Sequence, residues 1–221
     1  MESKGEKIGK FVRERIAGLE ASNNDAAVRR SLAILRRGIG KAPGSMAELW
    51  DMTLKDLPES FYRKEGIPSD EEWAVYIALT LYALHQQGND IKQKSMNKED
   101  VSLGTAVRIL DKLKDSDSAE ESADEDNAED SQDDNKRRNY RFDRIITSQS
   151  ITELSNHLRG MVQLLKQSSV PLDYALLAKD IYRFRSDEGR DRVRLKWGQD
   201  YYRRETKENA GNEPANDNQN D

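Results

Sequence analysis

Cysteine is absent, which excludes disulfides and thiolate metal sites and is compatible with a reducing compartment. No run approaches the roughly twenty apolar residues needed to cross a bilayer, and the opening MESKGEKIGKFVRERIAGLE has no apolar signal core. A soluble, cytoplasmic chain with no membrane partner is the expectation. Histidine is scarce: His85 closes one helical pattern, His157 sits beside another's apolar stripe, and neither has a His or Glu at i+4 to make a helical metal site. Catalysis needs convergent polar groups. None is legible, so no catalytic residue, metal or cofactor is expected.

Acidic charge is plentiful but unevenly placed. Residues 115–134, DSDSAEESADEDNAEDSQDD, hold eleven acids, no base and nothing large to bury, so a disordered insertion is expected there. The end, 205–221, is similarly polar and is expected to be a disordered tail. Of 36 basic and 41 acidic residues, removing those eleven acids and then the five acids and one lysine of 205–221 leaves 35 against 25. The remainder is about ten charges positive, which speaks of acidic partners such as nucleic acid rather than of fold.

Apolar residues recur at helical spacing almost throughout. Ile8, Phe11, Val12, Ile16 and Leu19 share a face, and Val28, Leu32 and Leu35 share another. In SDEEWAVYIALTLYALHQQG, Ser69 and Glu72 read as a capping box before Trp73, Tyr76, Ile77, Thr80, Leu81 and Leu84. SLGTAVRILDKL turns Leu103, Ala106, Val107 and Leu110 inward. Ser150 with Glu153 reads as a second box ahead of Ile151, Leu154, Leu158, Met161, Val162 and Leu165. After Val170-Pro171 a helix restarts with Tyr174, Leu177, Ile181 and Phe184. Val193, Leu195 and Trp197 alternate with bases like a strand, but no second strand exists to pair with it. A helix with Val193, Trp197 and Tyr201 on one stripe is therefore expected. The fold class is all-α: two small helical-bundle lobes, 1–114 and 135–204, joined by the acidic insertion.

LRRGIGKAPGSMAELW has the glycines and lysine of a phosphate loop in the wrong order, because they follow a helix rather than a strand. Gly38 reads as a helix C-cap, and Ala42-Pro43-Gly44 separates Lys41 from Ser45. What repeats along the chain is helix-mounted cations beside the apolar stripes: Arg36, Arg37 and Lys41; Arg108 and Lys112; Arg141 and Arg144; Arg159; Arg194 and Lys196. Such cations track a phosphate backbone and supply affinity without sequence information. Trp73, Phe184 and Trp197 fall on apolar stripes and read as core, which argues against base stacking.

The order LRRGIGKAPGSMAELW, EEWAVYIALTLYALHQQ, SLGTAVRIL, RFDRIITSQSITELSNHLRG and RVRLKWGQDYY resembles the CasB family, the small subunit of the type I-E CRISPR surveillance complex Cascade. The resemblance runs over about residues 8–203 apart from the insertion. It implies a noncatalytic all-helical subunit in antiviral defence, present in two copies. Its implied partners are the backbone and large subunits, crRNA and target DNA, with a basic face that holds DNA while the R-loop is open. Arg36 and Arg37 match the family's arginine pair after the second helix, and Arg141 and Arg144 match the basic start of its second lobe. The insertion departs from the family. It reads either as a tolerated solvated loop or as a polyanion competing for the basic groove before assembly. Two other functions stay open: a helical adaptor whose basic faces meet acidic proteins, separable by salt-dependent DNA affinity, and a nucleotide-dependent transferase using Gly38 to Ser45.

Overall fold

The computed structural model describes residues 2–63, 65–121 and 140–203, the side chains of 115–121 excepted. The expected insertion beyond 121 and the expected tail at 205–221 lie outside the described residues. Among the described residues the chain is all-α, with nine helices: α1 Lys4–Glu20, α2 Asp25–Arg37, α3 Trp50–Thr53, α4 Asp70–His85, α5 Leu103–Glu121, α6 140–147, α7 Ile151–Gln167, α8 Tyr174–Arg183 and α9 Asp187–Tyr202. α5 runs seven residues into the acidic stretch. Extending an existing helix fixes one residue per hydrogen bond and avoids a new nucleus.

α4 is the centre. A helix apolar on all sides must be surrounded, and alanines at 74, 78 and 83 let neighbours close in on it. α1, α2, α3, α7 and α8 all pack on α4, while α1 lies along α8 and α5 along α9. Small residues set these approaches: a side chain at Gly9 would meet the Ala175 carbonyl at 3.2 Å, and one at Gly104 would collide with the backbone carbonyl of Trp197. Apolar side chains from both sides of the acidic run, Ile8 to Leu110 and Phe142 to Trp197, join one continuous core. Each large one removed from water contributes about 1.5–3 kcal/mol.

The caps follow the sequence with one difference. Ser69 accepts from Glu72 N while Glu72 accepts from Ser69 N at 2.6 Å, a full capping box. Ser150 likewise accepts from Glu153 N, but the Glu153 carboxylate reaches one residue further back, to Gln149 N at 2.9 Å. The second box is thus opened by a residue, because Arg190 and Thr147 hold the Gln149 side chain and present its backbone N–H instead. The segments ahead of α5 and α8 are sewn together by Leu172 N to Met96 O at 3.1 Å and Asp173 N to Val101 O at 2.8 Å.

Candidate nucleic-acid interface

α2 ends at Gly38, which caps it with φ −78°, a conformation open to any residue. Glycine is required for proximity: a Cβ there would lie 2.7 Å from both Leu49 Cδ1 and the Tyr76 hydroxyl. That hydroxyl donates to Gly38 O at 2.9 Å and anchors the loop on α4. Gly40 and Gly44, at φ 77° and 83°, supply the left-handed turns that follow. The neighbouring arginines diverge. Half-buried Arg36 donates to Ala83 O and lines a cavity of about 390 Å3 with Arg29 and Gln87, and Gln87 in turn accepts from Lys166. Arg37 is exposed beside Glu48 at 3.4 Å, and exposed Lys41 lies against the Met46 sulfur.

A second group gathers around α9. Phe142 and Ile145 turn α6 inward, leaving Arg141 and Arg144 exposed one turn apart, with the Arg144 guanidinium 5.9 Å from the Tyr140 ring. Ser148 joins them to α9: its hydroxyl donates to Arg144 O, and its own carbonyl accepts from Arg194 at 2.8 Å. On α5, half-buried Arg108 donates to Arg203 O, with Lys112 exposed one turn further on, while Tyr201 on α9 packs its ring 5.1 Å from Phe142. Lys196 faces away from Arg194, toward Asp200 at 2.5 Å. Burial works against the Asp200 charge, but hydrogen bonds from Lys196 and Ser102 outweigh it and lower its pKa.

Arg159 is exposed on α7. Among the described residues no ion pair engages Arg141, Arg144 or Arg159, so these three guanidiniums are free to meet an external anion. Arg37, Arg194 and Lys196 instead sit within 4 Å of Glu48, Asp191 and Asp200. The expected cations therefore form an α5–α6–α9 group, Arg108, Lys112, Arg141, Arg144 and Arg194, and an α2 group, Arg36, Arg37 and Lys41, with Arg159 and Lys196 outside both.

Several features escaped the sequence reading. Arg183 and Arg185 rim a cleft of about 620 Å3 that also holds Asp180. They follow the last apolar stripe of α8, where no periodic signal separates a cleft from open surface. Asp180 accepts from Trp197 Nε1 at 2.8 Å, and burial raises its pKa to about 6. His85 is fully buried, shares a 2.9 Å hydrogen bond with the Tyr174 hydroxyl, and is pushed down to about 4 by burial. His157 has its acid on the other side from i+4, Glu153 at 3.7 Å. Among the described residues no three His, Asp or Glu could hold a metal, and no helix is long and apolar enough to cross a membrane.

The family model described as CRISPR-associated protein Cse2 matches residues 31–202. The crystal structure of CasB from Thermobifida fusca superposes with a TM-score of 0.63 at 30% identity, covering 90% of this chain and 98% of that one. No curated protein matches.

Proposed function

The chain belongs to the family of CRISPR-associated protein Cse2, and from that premise we propose that it holds target or displaced DNA through its basic helical faces and prolongs the open R-loop. Membership makes it the small subunit of Cascade in CRISPR defence, in contact with other Cascade subunits, within a family of structural rather than catalytic proteins. The observation that carries the DNA reading is the free, exposed set Arg141, Arg144 and Arg159 on α6 and α7. Cations already paired with carboxylates must give up that partner before they meet a phosphate, whereas these three need not. R-loop formation exchanges one duplex for another of similar stability, so a few backbone contacts decide whether the open state persists. Arg36 with Lys166 beside the α4 C-terminus, and Arg37 with Lys41 on the adjoining loop, supply a second strip for the same backbone. Arg108, Lys112 and Arg194 extend the first, and Lys196, turned to Asp200, lies apart from it. In this reading crRNA and target DNA are the nucleic-acid partners, and a second copy of the chain continues the strip.

The test is R-loop lifetime in the guide-loaded complex assembled with the wild-type chain, without it, and with Arg36, Arg37, Arg141 and Arg144 all changed to Ala. The expected result is normal assembly of the quadruple variant with an R-loop that closes as fast as when the chain is missing. A wild-type lifetime for that variant would leave the chain as scaffolding.

A further inference from the structure

Of the seven large apolar side chains left exposed among the described residues, three gather in one place. Trp50, Tyr62 and Ile67, at 49%, 45% and 54% exposure, line a shallow groove of about 240 Å3, and Pro43, Leu54 and Pro68 complete its apolar lining. The Tyr62 hydroxyl donates to Leu54 O at 2.9 Å, and the Trp50 carbonyl accepts from Leu54 N and Lys55 N, so both rings are held before any partner arrives. The groove is smaller than the roughly 300–1,000 Å3 that a small molecule or cofactor occupies. It suits single side chains of a protein surface, and tryptophan and tyrosine in such pockets are the usual anchors of protein contacts.

Its charge runs against the rest of the molecule. Residues 46–72 hold eight acids and three bases, whereas the remainder outside the acidic run and the tail holds 32 bases and 17 acids. The arginines beside the groove are answered, Arg63 by Asp70 at 3.5 Å and Arg37 by Glu48 at 3.4 Å. Among the acids, Asp56 pairs with Arg15, and Glu72 serves the capping box of α4. Asp51 beside Trp50, Glu59 three residues before Tyr62, and Glu65 beside Gly66 are exposed, and among the described residues no ion pair or hydrogen bond engages their side chains. Burial, then Glu72, Asp56 and Glu59, raise the pKa of Tyr62, in keeping with carboxylates gathered around that ring. The uncommitted charge at the groove is therefore anionic.

We infer that this groove docks another Cascade subunit, which lays an apolar side chain against Trp50 and Tyr62 and sets lysine or arginine against Asp51, Glu59 and Glu65. The small subunit works in contact with other Cascade subunits, and the inference assigns one such contact a surface and a chemistry. It does not depend on the DNA reading. Free acids repel a polyanion, and two copies joined groove to groove would set acid against acid. A basic and apolar protein surface answers both the rings and the carboxylates.

The experiment assembles the guide-loaded complex from its other subunits and the full-length chain. Hydroxyl-radical oxidation of Trp50 and Tyr62, read by mass spectrometry, is then compared between the complex and the free chain. Both rings are expected to be protected on assembly. Trp50→Ala is expected to raise the concentration of chain needed for half-incorporation about tenfold, and Trp50→Phe by less, with the DNA affinity of the free chain unchanged in either. Asp51→Lys combined with Glu59→Lys is expected to slow incorporation and to remove its weakening by salt. Those two positions are exposed and uncommitted, so this variant keeps the test decisive should Trp50→Ala fold poorly. Equal oxidation in complex and free chain, or wild-type incorporation of Trp50→Ala and of the double lysine variant, overturns the inference. Protection produced by an oligothymidylate alone assigns the groove to a nucleic-acid strand and overturns it too. Protection produced by concentrating the chain alone assigns the groove to a second copy, with the same consequence.

Discussion

Two buried side chains of opposite kind set how stability responds to acid. His85 has a folded pKa of about 4 against an ordinary 6.5, burial being the cause, so the unfolded chain takes up its proton first. Its contribution is therefore lost as pH falls from about 6.5 to about 4. Asp180 is raised to about 6 from 3.8, again by burial, so the folded chain keeps its proton longer. That contribution is full below about 3.8 and is lost as pH rises through about 6. The two oppose each other between about pH 4 and 6, each on the scale of a few kcal/mol. Urea midpoints across pH 4–7.5 check this: His85→Gln is expected to flatten the acid-side loss, and Asp180→Asn to steepen it by removing the opposing gain. Neither shift was legible from sequence. His85 read as a helix-end residue because burial of the last turn of α4 depends on Tyr174, 89 positions later.

At the scale of elements, the helices and their inward faces follow from spacing alone, and what spacing leaves out is how near two helices come. Gly104 and Gly160 both lie in helices and look alike in sequence. Gly104 sits where α5 meets the backbone of Trp197 on α9, while nothing stands within 4 Å of a Cβ at Gly160. Gly104→Ala is expected to cost about 1–3 kcal/mol or more, since a backbone carbonyl yields less than a side chain. Gly160→Ala is expected to gain about 0.5–1 kcal/mol from helix propensity. Thermal denaturation of the two variants side by side is the check, and equal shifts would contradict the α5–α9 contact. Ser69→Ala, which removes one side of the capping box, is expected to cost about 1 kcal/mol in the same assay. The Ser150 box looked identical in sequence. It differs because residues outside α7, Arg190 and Thr147, decide which backbone N–H is left for Glu153.

Over the whole molecule, α1 on α8, α4 on α7 and α8, and α5 on α9 bring segments from either side of the acidic run into one core. Shared burial predicts one cooperative unfolding transition. It also predicts that cutting an engineered protease site placed between residues 122 and 139 leaves two pieces that stay together on gel filtration. Two separate melting transitions, or pieces that elute apart, would show that the two sides are stable independently. The electrostatic counterpart is that Arg141→Ala and Arg144→Ala, both exposed, leave the melting temperature unchanged. Each is expected to lower the salt slope of single-strand DNA binding by about 0.7.

By itself the sequence determined the all-α class, the inward stripes, the first capping box, the basic excess outside the acidic run and the kinship with the CasB family. These are local or additive properties, settled by residue type and by neighbours within about two turns. Only tertiary structure decided that Arg36 and Arg37 part ways, that Arg194 and Lys196 are engaged while Arg141, Arg144 and Arg159 are free, and that Trp50 faces solvent. Each of those outcomes depends on which distant carboxylate, carbonyl or apolar face the fold brings alongside, and helical periodicity holds no record of a partner dozens of residues away.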